Sequence, residues 1–203
     1  RRGRPGIIGG FAMSGAKLTF TRQGMELEAG FQVGQEGMNL RGSLARVNGA
    51  MRFDLQGRAK VSLGGFDLDA KGRVTNLGGP ARFTLSADFT PSKYNTAFSG
   101  TTFAMSGEVD TDGFFELSAN GNLKVANYPL GQLTVKLSNK SGQTGFSLQG
   151  YFGAQVVNVA LYGRYQAGDS EVVLAGTSDL TVDSYTLAAA AFTLSSSAGL
   201  RVV

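Results

Sequence analysis

The run Met51-Arg52-Phe53-Asp54-Leu55-Gln56-Gly57-Arg58-Ala59-Lys60-Val61-Ser62-Leu63-Gly64-Gly65-Phe66-Asp67-Leu68-Asp69-Ala70-Lys71-Gly72-Arg73-Val74-Thr75 decides the architecture. Odd positions from Met51 to Leu63 are apolar or small, and the residues between them are polar or charged. After Gly64-Gly65 the parity reverses, so that Phe66, Leu68, Ala70, Gly72 and Val74 become the apolar set. Period-two alternation marks half-buried strands, and a parity switch across two glycines is what a two-residue hairpin requires. The predicted register sets Leu63 against Phe66 and Val61 against Leu68 on the apolar face, with Lys60 against Asp69 on the polar face. It also sets Gly57 directly against Gly72.

The same test extends upstream. Asn48-Gly49 is a strong hairpin dipeptide because both central residues adopt positive φ. It predicts Leu44 opposite Phe53, Gly42 opposite Leu55 and Leu40 opposite Gly57, all on the apolar face. A turn at Gln23-Gly24 is expected to pair Phe20 with Leu27 and Leu18 with Ala29. A four-residue loop at 34–37 is expected to pair Val33 with Met38 and Phe31 with Leu40. Downstream, strands are predicted over 82–90, 101–109, 115–127, 132–139, 144–153, 155–166, 171–182 and 185–194, with turns that include Asp110-Thr111-Asp112-Gly113 and Tyr128-Pro129-Leu130-Gly131. The sum is an all-β, antiparallel, up-and-down meander of about thirteen strands.

A weak repeat runs through it. Phe53-Asp54-Leu55, Phe115-Glu116-Leu117 and Phe146-Ser147-Leu148 share an aromatic-x-Leu stem followed by a small residue on the same face. Gly42, Gly57, Gly72, Gly107, Gly121, Gly150, Gly163 and Gly176 hold mid-strand positions, where glycine is normally depleted. A ladder of residues without side chains lets a sheet crease or a second backbone approach closely. These eight glycines are the expected crease.

The composition narrows the chemistry. The 203 residues include no His, Cys or Trp, and 30 are Gly. Ser-His-Asp and Cys-His catalysis, disulfides and ordinary zinc ligation are thereby excluded. The net charge of +4 divides unevenly: residues 1–82 carry 13 basic against 6 acidic side chains, and residues 83–203 carry 6 against 9. Arg1, Arg2 and Arg4 lie in a stretch without apolar pattern, so 1–10 is read as a flexible basic tail and 11–203 as one repetitive β domain. The missing initial Met and the strand-like residues at 199–203 suggest a piece of a longer chain.

Candidate sites are few. Glu108, Asp110 and Asp112 with Gly113 echo the start of a calcium loop, but Ala119 stands where a bidentate Glu is needed. Asp-Thr-Asp-Gly is also a sound turn, so calcium is the lesser reading and no cofactor is expected. Asp67 and Asp69 share a polar face roughly 6.6–7 Å apart along one strand, without an aromatic sugar platform beside them. Gly64-Gly65 opens no helix and is no phosphate loop. Asn139-Lys140-Ser141 fits a glycosylation triplet of low specificity. Arg41, Arg46, Arg52, Arg58, Lys60, Lys71 and Arg73 form a basic stretch, but Phe53 and Phe66 fall on the opposite face, which argues against stacked nucleic-acid bases.

Thirteen strands with one apolar face must fold over, close, or meet lipid. The leading expectation is a creased roll or sandwich. A closed outer-membrane barrel is the alternative, disfavoured by consecutive short turns, absent aromatic girdles and a C-terminal Val203. A third expectation is a groove for lipid or another apolar ligand. The functional expectation is a non-catalytic structural or adhesive repeat module of a surface, extracellular or envelope assembly. Its expected partner is another copy, as homo-oligomer or filament neighbour, joined through free edge strands.

Overall fold

In the computed structural model, residues 6–22, 24–63, 65–100, 102–140, 145–154, 157–165, 168–182 and 185–202 are described. Sixteen strands follow one another in the chain: β1 (Gly6–Ile8), β2 (Phe11–Thr21), β3 (Gly24–Val33), β4 (Glu36–Val47), β5 (Ala50–Leu63), β6 (Phe66–Thr75), β7 (Arg82–Phe89), β8 (Phe98–Gly100), β9 (Phe103–Val109), β10 (Phe115–Val125), β11 (Tyr128–Ser138), β12 (Gly145–Ala154), β13 (Val157–Tyr165), β14 (Val173–Val182), β15 (Tyr185–Ser195) and β16 (Gly199–Val202). All belong to one antiparallel sheet in sequence order, except that β9 follows β7 directly and β8 pairs with β10. Among the described residues, a single 3₁₀ turn at Pro91–Lys93 interrupts the meander.

The sheet is open: β1 and β16 lie at its two ends and it does not close into a barrel. The barrel alternative is therefore set aside. In an outer-membrane barrel the apolar face looks outward to lipid, whereas here it is folded inward. Leu40, Leu55, Phe66, Val74, Leu117, Leu137 and Leu194 are all fully buried in one continuous core. The strand count exceeds the expected thirteen by three short strands, β1, β8 and β16, the last of which is the strand-like end at 199–203. Gly6–Ile8 of the span read as a tail are strand β1, paired with residues 11–13.

Two of the four predicted registers hold, those of the Gly64-Gly65 and Asn48-Gly49 hairpins. Leu63 pairs with Phe66, Val61 with Leu68, Lys60 with Asp69 and Gly57 with Gly72; Leu44 pairs with Phe53 and Gly42 with Leu55. Asn48 and Gly49 both have positive φ, 49° and 81°, as their turn demands. Three connections differ. Phe20 pairs with Met25 and Leu18 with Leu27, so that turn sits one residue earlier than expected. Val33 pairs with Glu36 and Phe31 with Met38, leaving a two-residue turn in place of a four-residue loop. Tyr128, Pro129 and Leu130 are strand, and the turn is Ala126-Asn127, whose φ values are 47° and 69°. The first two are register slips of two residues, which keep each side chain on its face and leave no trace in the hydrophobic pattern.

The roll arises at three creases of one design. β4 pairs with β5 only as far as Arg41 opposite Gln56. Leu40 then leaves the ladder instead of pairing with Gly57 and crosses the apolar face. A Cβ on Gly57 would lie 2.1 Å from the Asn39 carbonyl oxygen, and one on Gly72 would lie 2.2 Å from Met38 Sδ. β9 likewise pairs with β10 only through Ser106 opposite Ser118, after which Phe103 swings over Gly121, 2.9 Å from the position of its missing Cβ. β8 takes the vacated side of β10 at Leu123–Val125. β13 and β14 meet at Tyr162 opposite Ala175. At each crease a glycine is pressed against the next strand's backbone: a Cβ would fall 1.9 Å from Asp54 O at Gly42, 1.8 Å from Glu116 O at Gly107 and 2.4 Å from Val173 O at Gly163.

A side-chain clamp accompanies each crease. Asn76 Oδ1 accepts from Phe53 N at 2.9 Å, and Asn139 Oδ1 accepts from Phe115 N at 2.6 Å. Ser196 Oγ accepts from Val172 N at 3.0 Å. The residue before each is a hydroxyl that receives the second following amide: Leu77 N donates to Thr75 Oγ1, Lys140 N to Ser138 Oγ and Ser197 N to Ser195 Oγ. Crease and clamp together define panels about 60 residues apart, beginning at Phe53-x-Leu55, Phe115-x-Leu117 and Val172-x-Leu174. The first two members match the sequence repeat. Its expected third member, Phe146-Ser147-Leu148, lies mid-panel on β12, and Val172-Val173-Leu174 takes its place. Asn139→Ala is expected to cost about 1–2 kcal/mol, because it leaves the Phe115 amide without its acceptor. An unchanged urea midpoint for this variant would remove the clamp from the energetics.

Candidate interaction edge

Where a sheet is open, its edge strands present unpaired N–H and C=O groups. Among the described residues β1 covers 11–13 of β2, and 14–20 have a strand neighbour on the β3 side alone. The boundary of this free edge is a bulge: the β2–β3 register slips between Ser14 and Lys17, around Gly15 at φ 60°. An extra residue there restores Leu18 and Phe20 to the apolar face, opposite Leu27 and Met25.

That apolar face is not covered at this end. Phe20 is 74% exposed and Leu18 46% exposed, with Met51 exposed on the same face of the neighbouring hairpin. Met25 and Leu44 behind them are half-buried. The cause is the first crease. β4 folds over the glycines of β5 and β6 with its first half, residues 36–40, and the far half of β2–β5 projects beyond the body. The outer face there carries cross-strand ion pairs: Arg41 donates to Glu26 at 2.6 Å and Arg73 makes two bonds to Asp54, at 2.7 and 2.8 Å. The hydrogen bonds from Arg73 hold the Asp54 carboxyl below its ordinary range.

The other sequence candidates fall as follows. Asp110 Oδ1 accepts from Asp112 N at 3.0 Å and Phe114 N at 2.9 Å, closing the β9–β10 turn. Glu108 stands on β9, 3.6 Å from Arg82. Among the described residues no three acidic side chains come together as metal ligands. Asn139 of the glycosylation triplet has its amide engaged in the second clamp, donating to Gly113 O at 3.3 Å. Asp67 accepts from Ser62, and its amide bonds Tyr94. Of the eight crease glycines, Gly42, Gly57, Gly72, Gly107, Gly121 and Gly163 sit where a backbone or side chain crosses closely. Gly150 pairs with Leu161 and Gly176 with Phe192 in the ladder. Gly65 has φ 82°; Gly64 lies outside the described residues. The β2 edge was the site that sequence reasoning missed. Only the isolated pair Leu18 and Phe20, in a strand interrupted by Gly15-Ala16, hinted at it.

No helix among the described residues is long and apolar enough to cross a membrane. No protein-family model matches the chain, and no curated protein or solved structure matches it.

Proposed function

We propose that this chain is a non-catalytic structural or adhesive module of an extracellular, surface or envelope assembly, built from repeated β panels and joining a second copy through the free edge of β2. The observation that carries the reading is the run 14–20, which among the described residues has a strand on one side only and includes exposed Leu18 and Phe20. Antiparallel addition of a second β2 satisfies both needs at once, giving the backbone a partner and the two side chains an apolar neighbour. Centred on Thr19, such a pairing sets Phe20 opposite the second copy's Leu18 and Lys17 opposite its Thr21, so no like charges are opposed. The repeated panels support a structural role, because repetition extends a surface without adding a pocket.

Sedimentation velocity across a concentration series tests this. The unaltered chain is expected to dimerise, and Phe20→Asp is expected to weaken the dimer by about tenfold or more while leaving the fold intact, because an exposed side chain costs little to replace. A chain that stays monomeric at the highest soluble concentration sinks the proposal.

A further inference from the structure

Arg58 on β5 stands directly opposite Lys71 on β6, on the outer, polar face of the sheet. Like charges so opposed repel each other. A second like-charged pair, Glu108 opposite Glu116 across β9 and β10, shows how this sheet otherwise deals with such repulsion. Arg82 lies 3.6 Å from Glu108 and Lys136 lies 2.9 Å from Glu116, so both acids have counter-ions. Arg58 and Lys71 have none within ion-pair distance among the described residues. Arg73, next along β6, is occupied by its two bonds to Asp54.

On one side the surroundings of this pair are concave and free of acid. A depression of about 500 Å³ is lined by Gln56, Arg58, Lys71, Thr84, Ser86 and Ser106 together with backbone and Arg73, and no carboxylate reaches it. Lys71 pairs with Ser86 and Ser86 with Ser106, so two cations and two hydroxyls run in one row across β5, β6, β7 and β9. The adjoining depression shares Arg58 and Lys71 but carries Asp67, Asp69 and Asp88. Those acids repel an anion from that side and confine it to the acid-free one.

We propose that the row Arg58, Lys71, Ser86 and Ser106 binds an oxyanion group, phosphate or sulfate. A guanidinium presents two parallel N–H donors that match two oxygens of such a group, an ammonium adds a point charge, and the hydroxyls donate to the remaining oxygens. The anion supplies the counter-charge that the described residues of the sheet do not give this pair. This site is independent of the β2 edge and of self-association.

Amide NMR titration of the whole chain with inorganic phosphate, at low and constant ionic strength balanced with sodium chloride, is the test. Saturable shifts confined to residues near 57–58, 71–72, 84–86 and 106 are expected. Arg58→Gln and Lys71→Gln should each weaken the binding by about tenfold, the loss of one charge-assisted contact. Each variant relieves a repulsion, so folding does not limit the experiment. Arg82→Gln, on the same face but paired with Glu108, should titrate like the unaltered chain. Absence of saturation, or variants at Arg58 and Lys71 that titrate unchanged, overturns the proposal. Phosphatidylcholine vesicles with and without phosphatidic acid separate the sources. Retention on the acidic vesicles that free phosphate competes away assigns a lipid headgroup. Phosphate binding without retention assigns a soluble oxyanion.

Discussion

Gly107→Ala is expected to lower stability by about 3 kcal/mol or more, which for a chain of this size moves the thermal midpoint by about 6–12 °C. The added Cβ would stand 1.8 Å from the Glu116 carbonyl oxygen and 3.2 Å from Leu117 Cα. Both are backbone atoms of β10, so no rotamer change relieves the clash. The strands must separate, and separation opens the crease that turns Phe103 and Met105 into the core. Gly42→Ala meets the same obstacle, 1.9 Å from Asp54 O, and Gly57→Ala meets the Asn39 carbonyl at 2.1 Å. Gly37→Ala serves as the control, because nothing lies within 4 Å of its Cβ position. It should be neutral or stabilising by about 0.5 kcal/mol, through the reduced freedom of the unfolded chain. Equal midpoints for the Gly107 and Gly37 variants in urea or thermal unfolding would falsify the crease as the organising device.

Phe66→Ala carries the second large effect, about 3–5 kcal/mol. Phe66 is fully buried on β6 and its ring meets four others: Phe89 at 5.4 Å, Tyr94 at 4.8 Å, Phe146 at 6.2 Å and Tyr165 at 6.0 Å between centroids. Phe89 belongs to the neighbouring strand, Tyr94 to the turn that caps this end, and Phe146 and Tyr165 to strands β12 and β13 of the second panel. One side chain therefore joins panels far apart in the chain. Edge-to-face pairs add about 0.5–1.5 kcal/mol each beyond burial, so truncation removes contacts in several directions and leaves a ring-sized void. Phe66→Leu should cost less, because it keeps most of the apolar volume. A chemical-denaturation series that ranks the two variants equally would show that the void collapses and that the rings hold nothing together.

The extent to which this structure could be read in advance varies residue by residue. Met51 to Thr75 disclosed two strands, their turn and their pairing, since alternation and a glycine pair act over a few residues. The repeat of Phe53-x-Leu55 in Phe115-x-Leu117 was legible for the same reason. Its third occurrence escaped because Val172-Val173-Leu174 shares no aromatic with them, and only the glycine pressed against Val173 and the serine clamp at 195–197 reveal the kinship. Asn76 and Asn139 looked like turn residues and a glycosylation signal. Their work is done across 23 and 24 residues of sequence, a distance at which composition is silent.

The amino-acid sequence alone determined that this protein is a single-faced antiparallel meander, which side of each strand is apolar, and that glycines stand where the sheet could bend. Each of these follows from steric and solvation preferences between near neighbours. The tertiary structure alone decided which glycines bend it, that the sheet rolls without closing and, among the described residues, that β2 keeps a free edge with Leu18 and Phe20 uncovered and that Arg58 and Lys71 face each other without a counter-ion. Those outcomes depend on where one panel crosses another, and a crossing is set by backbone-to-backbone distances between residues that the alternation of a single strand does not encode.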